Sequence, residues 1–554
     1  MPSHLLSQVL LACSLMKYWL SLALCVLLST CLPATAENSS NFEKALQLHI
    51  DPALQAGCIN PQTQLAQVLC NKRLRVGVRS EYRLFAEFDG VEFKGFEIEL
   101  AKQIAKHLGV KAEFQSVTPA NRIEQLLLRK IDIVIATMAH TLSREESIYF
   151  VRPHYYASPT TIVGSKHQVI AGWHDLKGKT VCVPLGNFSN IVFSENRVKL
   201  LIYDRPNRLI DALQFGACSI IAHDRSLLQA DVFGAIAPKN LSEKFEEKFS
   251  FNEVPWGIGI RQEAKNDLGA ALSLIMAHLH QSGALEKLAR EHGVHIQYLT
   301  DQRQLFLQSN CLIQHQLNPA CLSSPIDISD TPTTIAPQVH LFEGWLSEKR
   351  IPLKFPMLAG QNAARLFVIG ILISLLLVAG SILATMGFAM LFFRLLRSKH
   401  LFVRLAGHVT VHFFQNSPII LLLILGYLIV SSLTSYSPPL AIFVSVLVIG
   451  LNNGANGGSA MNELATTSGH DQSILAIASR TRVQLSATMI NAAKASPVAG
   501  FIGAPELLAV LTDITAFTGE YITTYLILII FYLTLIQMVI ILSGRLSKRL
   551  EKYG

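Results

Sequence analysis

Charge is what this 554-residue chain has least of. Asp, Glu, Lys and Arg make up 16% of it, against about a quarter in an average globular protein. Hydrophobic residues make up 50%. These values exclude a disordered or collagen-like chain and weigh against one that is soluble throughout. No G-x-x-x-x-G-K-[ST] occurs, so the chain cannot build a phosphate-cradling P-loop by itself. No C-x-x-C or Cys/His cluster has zinc spacing. No paired carboxylates or nucleophile–base set stands out either, so neither a metal, a cofactor nor a catalytic residue is expected. Lys and Arg exceed Asp and Glu by 47 to 39, for a net charge of +8. The meaning of that surplus depends on where the basic residues lie.

Three of the nine cysteines, Cys13, Cys25 and Cys31, precede residue 36. They belong to a segment that reads as an export signal, residues 1–36. Lys17 leads an apolar run over 18–28, and Ala34-Thr35-Ala36 supplies a small-x-small cleavage pattern. Met16-Lys17 offers a second start, and an uncleaved anchor is the alternative. The six later cysteines are an even number, which permits disulfides in an exported chain. Cys58 with Cys70 and Cys311 with Cys321 are the local pairings open to it, against free thiols.

After a polar lead over 37–73, strand and helix patterns alternate from 74 to 300. Leu74-Arg75-Val76-Gly77-Val78 reads as a strand, and Phe96, Leu100, Ile104 and Leu108 fall at helical spacing before the stop at Gly109. Ile131-Asp132-Ile133-Val134-Ile135-Ala136, Val181-Cys182-Val183 and Ser219-Ile220-Ile221-Ala222 read as further buried strands. This alternation predicts an α/β domain with mainly parallel sheets, whose ligands sit beyond the carboxyl ends of the strands. Residues 301–363 are rich in Gln, Pro, Ser and Thr and read as a linker with some local order.

From 364 to 554 the chain reads as membrane helices. Spans are expected at 366–393, 419–433, 440–451 and 521–542, with a weaker one near 484–511, between Arg482 and Lys494 and beyond. Five spans place Arg394, Arg397, Lys399 and Arg404 on the same side as the basic tail Arg545, Lys548, Arg549 and Lys552, while 434–439 and 512–520 carry no Lys or Arg. That satisfies the positive-inside rule with the α/β domain outside. The basic surplus therefore has a membrane explanation, and no nucleic acid is expected.

Local motifs sharpen the reading. They are Leu74 to Val78 with Tyr82-Arg83-Leu84-Phe85, Gly95-Phe96-Glu97-Ile98-Glu99-Leu100, Ile131-Asp132-Ile133-Val134 leading to Thr141-Leu142-Ser143-Arg144, Asp175-Leu176-Lys177-Gly178-Lys179, and His223-Asp224. In this order residues 74–300 resemble the periplasmic amino-acid-binding proteins of ABC importers, of the bacterial solute-binding family 3 type. The resemblance implies a type II bilobal periplasmic-binding fold. It gives Arg144 the ligand carboxylate, which a guanidinium can hold bidentately, and Asp224 the ammonium. Tyr82 becomes an aromatic wall, and Gly186 with Asn187 and Phe188 would present backbone N–H groups from the second lobe. Phe85, Thr137 and Ala139 complete the implied ligand site. Ala139 stands where the family usually has a hydroxyl, Arg79 where some members carry an acid, and Pro119 where an aromatic often stacks.

Residues 360–554 resemble the permease of ABC importers for polar amino acids, of the His/Glu/Gln type. Gln415-Asn416-Ser417-Pro418 stands for its R-G-T-P, and Lys494-Ala495-Ser496-Pro497 through Gly503-Ala504-Pro505-Glu506-Leu507 for its K-D-T-S-L…I-G-x-P-E-L. Glu463, Ala465 and Gly469 have the spacing of the helix that docks on the ATPase, in a loop over 452–480 that reads as shortened. Asn453-Gly454-Ala455-Asn456-Gly457-Gly458 within it reads as loose. Together the resemblances imply a multi-pass inner-membrane protein with a periplasmic binding domain. Its implied partners are a polar or charged amino acid, separate cytoplasmic ATPase subunits, a second permease unit in a homodimer, and lipid. A membrane-anchored receptor uncoupled from any ATPase is the alternative. A ligand-gated channel would place its pore between the lobes, and an enzyme on this fold, such as a dehydratase, would leave the membrane half unexplained.

Overall fold

The computed structural model describes residues 33–551 apart from 56–57, 60, 188, 204, 235–236, 309–310, 314–315, 328–329, 434–436 and 469–472. The apolar run 18–28, on which the expected export signal rests, lies outside these residues, and Ala34-Thr35-Ala36 falls within a helix, Pro33–Gln55.

Eight strands form the principal sheet. In the first lobe, β1 (Arg73–Val78) buries Leu74, Val76 and Val78 and runs parallel to β2 (Lys111–Ser116) and β3 (Ile133–Val134). Two long strands, β4 (Tyr149–Ser165) and β8 (Phe245–Ile260), pair antiparallel through both lobes, with register shifts between Glu247 and Phe249, Phe251 and Val254, and Trp256 and Ile258. In the second lobe, β5 (Thr180–Pro184) runs parallel to β6 (Lys199–Tyr203) and β7 (Ile220–Asp224). The sheet order is β2-β1-β3-β8-β4-β7-β5-β6. This is the expected type II periplasmic-binding architecture, two α/β lobes joined by crossing strands. The cleft lies where the parallel strands of both lobes end, which is where such sheets put ligands.

Short helices set the cleft walls. Helix α1 (Phe96–His107) starts at Gly95, whose φ of +126° and whose approach to Phe85 leave no room for a side chain; a Cβ there would lie 2.4 Å from the Phe85 carbonyl oxygen. Helix α2 (Arg122–Leu127) precedes β3, and α3 (Leu142–Glu145) follows it. Both local disulfides form, Cys58–Cys70 and Cys311–Cys321. A third, Cys182–Cys218, joins β5 to the approach of β7. It was not foreseen, because its partners lie 36 residues apart and meet only once the sheet forms.

Residues 301–363 are held closer to the rest than a linker composition implies. Ile326 exchanges backbone hydrogen bonds with the first lobe, donating to the His140 carbonyl and accepting from the Leu142 N–H. Helix α4 (Ala336–Glu348) exposes Leu341, Phe342 and Trp345 just before the apolar C-terminal helices. The Asp330 carboxylate then accepts from the N–H groups of Asn362 (3.0 Å) and Ala363 (2.8 Å), capping the first turn of α5 (Gln361–Leu396).

Three described helices are long and apolar enough to cross a membrane: α5, α8 (Pro438–Ser468) and α11 (Tyr521–Leu550). Two bent pairs raise this to five if each pair is one span. The first joins α6 (Leu401–Asn416) to α7 (Ile419–Leu433) with a bend of 113°. The second joins α9 (Arg482–Ala495), with the 3₁₀ turns after it, to α10 (Leu507–Thr518) with a bend of 48°. One expectation is corrected. Residues 453–458 are not loose but lie inside α8, and its glycines are the contact with α5. A Cβ at Gly450, Gly454 or Gly458 would come within 2.5, 2.6 and 2.8 Å of the Cβ atoms of Ala384, Phe388 and Phe392. Small residues four apart share a helix face, and in lipid they let two backbones approach closely.

Candidate functional site

The site is assembled at strand ends. After β3 the chain turns through Thr137, whose φ is +46°. The buried Glu97 side chain fixes that turn, accepting from the Thr137 N–H (2.7 Å) and the Tyr155 hydroxyl (2.5 Å). Thr141 then caps α3 and sends Arg144 inward, where it is 1% exposed. Arg144 Nη1 donates to the Ala139 carbonyl at 2.9 Å. Burial lowers the Arg144 pKa to about 10, which still leaves it charged at neutral pH. Across the cleft, β7 ends on Asp224, whose Oδ2 accepts from the Tyr82 hydroxyl at 2.7 Å and lies 3.3 Å from His223 Nδ1. A cation and an anion therefore face one cavity from opposite lobes. The cavity measures about 30 Å³, room for about two waters at roughly 10–15 Å³ each.

Residues 74–295 match the family model of bacterial extracellular solute-binding proteins, family 3. This part of the chain is a solute-binding domain. Among curated relatives, the arginine-binding extracellular protein ArtP of Bacillus subtilis is 26% identical over 232 residues, covering 40% of this chain and 86% of its own length. The histidine-binding periplasmic protein of Escherichia coli K12 is 26% identical over 231 residues, covering 40% and 87%. Among solved structures, a cysteine-binding protein from Campylobacter jejuni is 27% identical, covering 42% of this chain and 92% of its own, with a TM-score of 0.38.

The cavity of the solute-binding domain is lined by seven of the nine expected ligand residues: Tyr82, Thr137, Ala139, Arg144, Gly186, Asn187 and Asp224. Phe85 is not among them. It is fully buried behind Tyr82, edge-on to Tyr82 and Trp256, and serves the core. Phe188 lies outside the described residues. Tyr82 does more than form a wall, since its hydroxyl holds Asp224. Arg79 and Pro119 line the cavity, as does Arg122, which sequence reasoning missed. Arg122 opens a short helix and reads as a surface arginine, but it is 3% exposed and donates to the Ala136 carbonyl at 2.7 Å. Trp256 was also missed; it lines the cavity from β8.

The C-terminal helical region touches this cleft. The end of α10 lies between the lobes. Arg144 Nη2 donates to the Ala516 carbonyl (3.0 Å) and Ser147 Oγ to that of Thr518 (3.3 Å). From the second lobe, the Gly186 N–H (2.7 Å) and Asn190 Nδ2 (3.2 Å) both donate to Asp513 Oδ1. Gly186 has a φ of +72°, and a Cβ there would lie 2.6 Å from the Ala516 Cβ. On the implied ATPase-facing segment, Glu463 is exposed and Ala465 buried near the end of α8, and Gly469 lies outside the described residues.

Proposed function

We propose that the chain is the substrate-binding and permease subunit of an ATP-dependent amino-acid importer in the inner membrane, a transport protein rather than an enzyme. The observation that carries this reading is the pairing of buried Arg144 with Asp224 across one cavity. An amino acid brings a carboxylate for the guanidinium and an ammonium for the aspartate, so the zwitterion itself bridges the two lobes. Closure follows because the ligand makes both contacts only when the lobes are together, and a ligand shifts a conformational equilibrium only by such differential binding. The membrane half that follows in the same chain supports transport rather than capture alone. Two copies of five spans would line the pathway, and separate ATPase subunits would dock near the exposed Glu463.

The test is a thermal-shift screen of the detergent-solubilised full chain against the twenty standard amino acids. A ligand present at 100 times its Kd stabilises the fold by about 2.7 kcal/mol, a readily measured shift. At least one amino acid is expected to raise the melting temperature. No shift from any of them at millimolar concentration would remove the amino-acid reading.

A further inference from the structure

We propose that the solute taken by this site is an amino acid with an acidic side chain. The proposal rests on the amino-acid reading above and comes from a count of charge. Three guanidinium groups, Arg79, Arg122 and Arg144, line the cavity, and Asp224 is the single carboxylate among the described lining residues. All three arginines are buried, at 9%, 3% and 1% exposure. Arg79 lies over the Tyr82 ring, 5.6 Å from its centroid, and meets no hydrogen-bond acceptor among the described residues. Arg122 Nε is buried without a partner. Burial, reinforced by the charges of Arg144 and Arg79, holds the Arg122 pKa well below its ordinary value.

A neutral zwitterion satisfies Arg144 and Asp224 and leaves Arg79 with only the longer-range attraction of Glu97, Asp224 and Glu81, and Arg122 with that of Glu97, neither in a direct ion pair. Glu97, behind the cavity, cannot neutralise both. Burial pushes its pKa up to about 7, so near neutral pH it carries only part of a charge. A second carboxylate on the ligand would meet the two spare guanidiniums, and carboxylate–guanidinium pairs are the strong, orienting kind. A cationic side chain would instead enter a cavity already rich in like charge, which is costly at low dielectric.

The experiment is calorimetric titration of the full chain with L-glutamate, L-aspartate, their amides, L-arginine and L-histidine. The acids are expected to bind at least a hundredfold tighter than the amides. Arg79→Gln and Arg122→Gln should each narrow that ratio to tenfold or less. An amide or a cationic amino acid binding as tightly as the acids overturns this inference and leaves the amino-acid reading standing. Absence of binding by all six, with a response to another amino acid in the thermal-shift screen, removes this inference alone; no response to any of the twenty removes both.

A second observation stands independently. The end of α10 engages the cleft through groups that resemble a ligand's acid end. The Ala516 carbonyl takes the Arg144 guanidinium, and the Asp513 carboxylate takes the Gly186 N–H. Asp513 is 1% exposed, and its Oδ2 is buried without a partner. The contacts fall on both lobes, as a ligand's would. The geometry points to α10 as a tethered occupant that competes with the amino-acid carboxylate for Arg144. Seating of the binding domain on the membrane half then discharges its solute, and an emptied domain cannot recapture it while seated.

Across the twenty standard amino acids, full-length Asp513→Ala is expected to bind its tightest ligand at least tenfold more tightly than the wild type does. Asp513→Asn keeps the shape and an acceptor for Gly186, and should give a smaller gain. Hydrogen exchange offers a readout in the wild type, where the amides of 513–519 should exchange faster when that amino acid is added. Affinity in both variants no greater than wild type would overturn the proposal, as would unchanged exchange at those amides.

Discussion

Arg144→Ala will weaken amino-acid binding by roughly a hundred- to ten-thousand-fold in the full chain, the loss of two hydrogen bonds to a charged group at about 1.5–3 kcal/mol each. The side chain is 1% exposed and reaches the cavity from a capped turn, so its guanidinium is already held where the carboxylate must come. Arg144→Lys should recover little, because an ammonium keeps the charge and loses the planar fork. Calorimetry gives the affinity, and the melting temperature of the empty protein separates a lost contact from a lost fold. Affinity within threefold of wild type would show that the carboxylate lies elsewhere.

Two cavity-lining residues could be placed from the sequence, through the family motifs that they sit in. Arg144 follows a buried strand and a Thr141 cap, and Asp224 ends another strand, so pattern and chemistry coincide. Arg122 could not be read this way. It begins a helix of six residues, a place where an arginine ordinarily faces water, and only the packing of α2 under β3 turns it inward. The glycines of α8 misled for a related reason. In water such a run is a flexible loop, whereas in lipid the missing side chains are what let α5 and α8 touch. Nothing local to Asp513 or Ala516 marks them as neighbours of Gly186, more than 300 residues earlier in the chain. Composition likewise reported residues 301–363 as polar and loosely patterned, and could not show that Ile326 and Asp330 are both tied down.

Removing the Cys182–Cys218 disulfide by paired Cys→Ser substitution is the second change with a large expected effect. Closing a loop of 36 residues restricts the unfolded chain by about 4 kcal/mol in the loop-entropy model. Both cysteines sit in the second lobe, at 1% and 3% exposure, so the loss should fall on that lobe first. Hydrogen exchange on the full chain would show β5, β6 and β7 losing protection while β1 and β2 keep theirs. Unchanged protection in β5 to β7 would mean that this bond adds nothing to the second lobe.

The two anchors at Ile326 and Asp330 set the reach of the binding domain. Only residues 327–329 separate a backbone pair on the first lobe from the cap of the first membrane helix. Four Cα steps extend at most about 15 Å. That span bounds how far the first lobe could lie from the start of α5. On the proposed import reading, each binding domain would deliver to the pathway that its own helices help to line. On that reading, extra binding domain supplied on its own would not raise the rate of import, because the chain carries domain and helices in fixed one-to-one proportion.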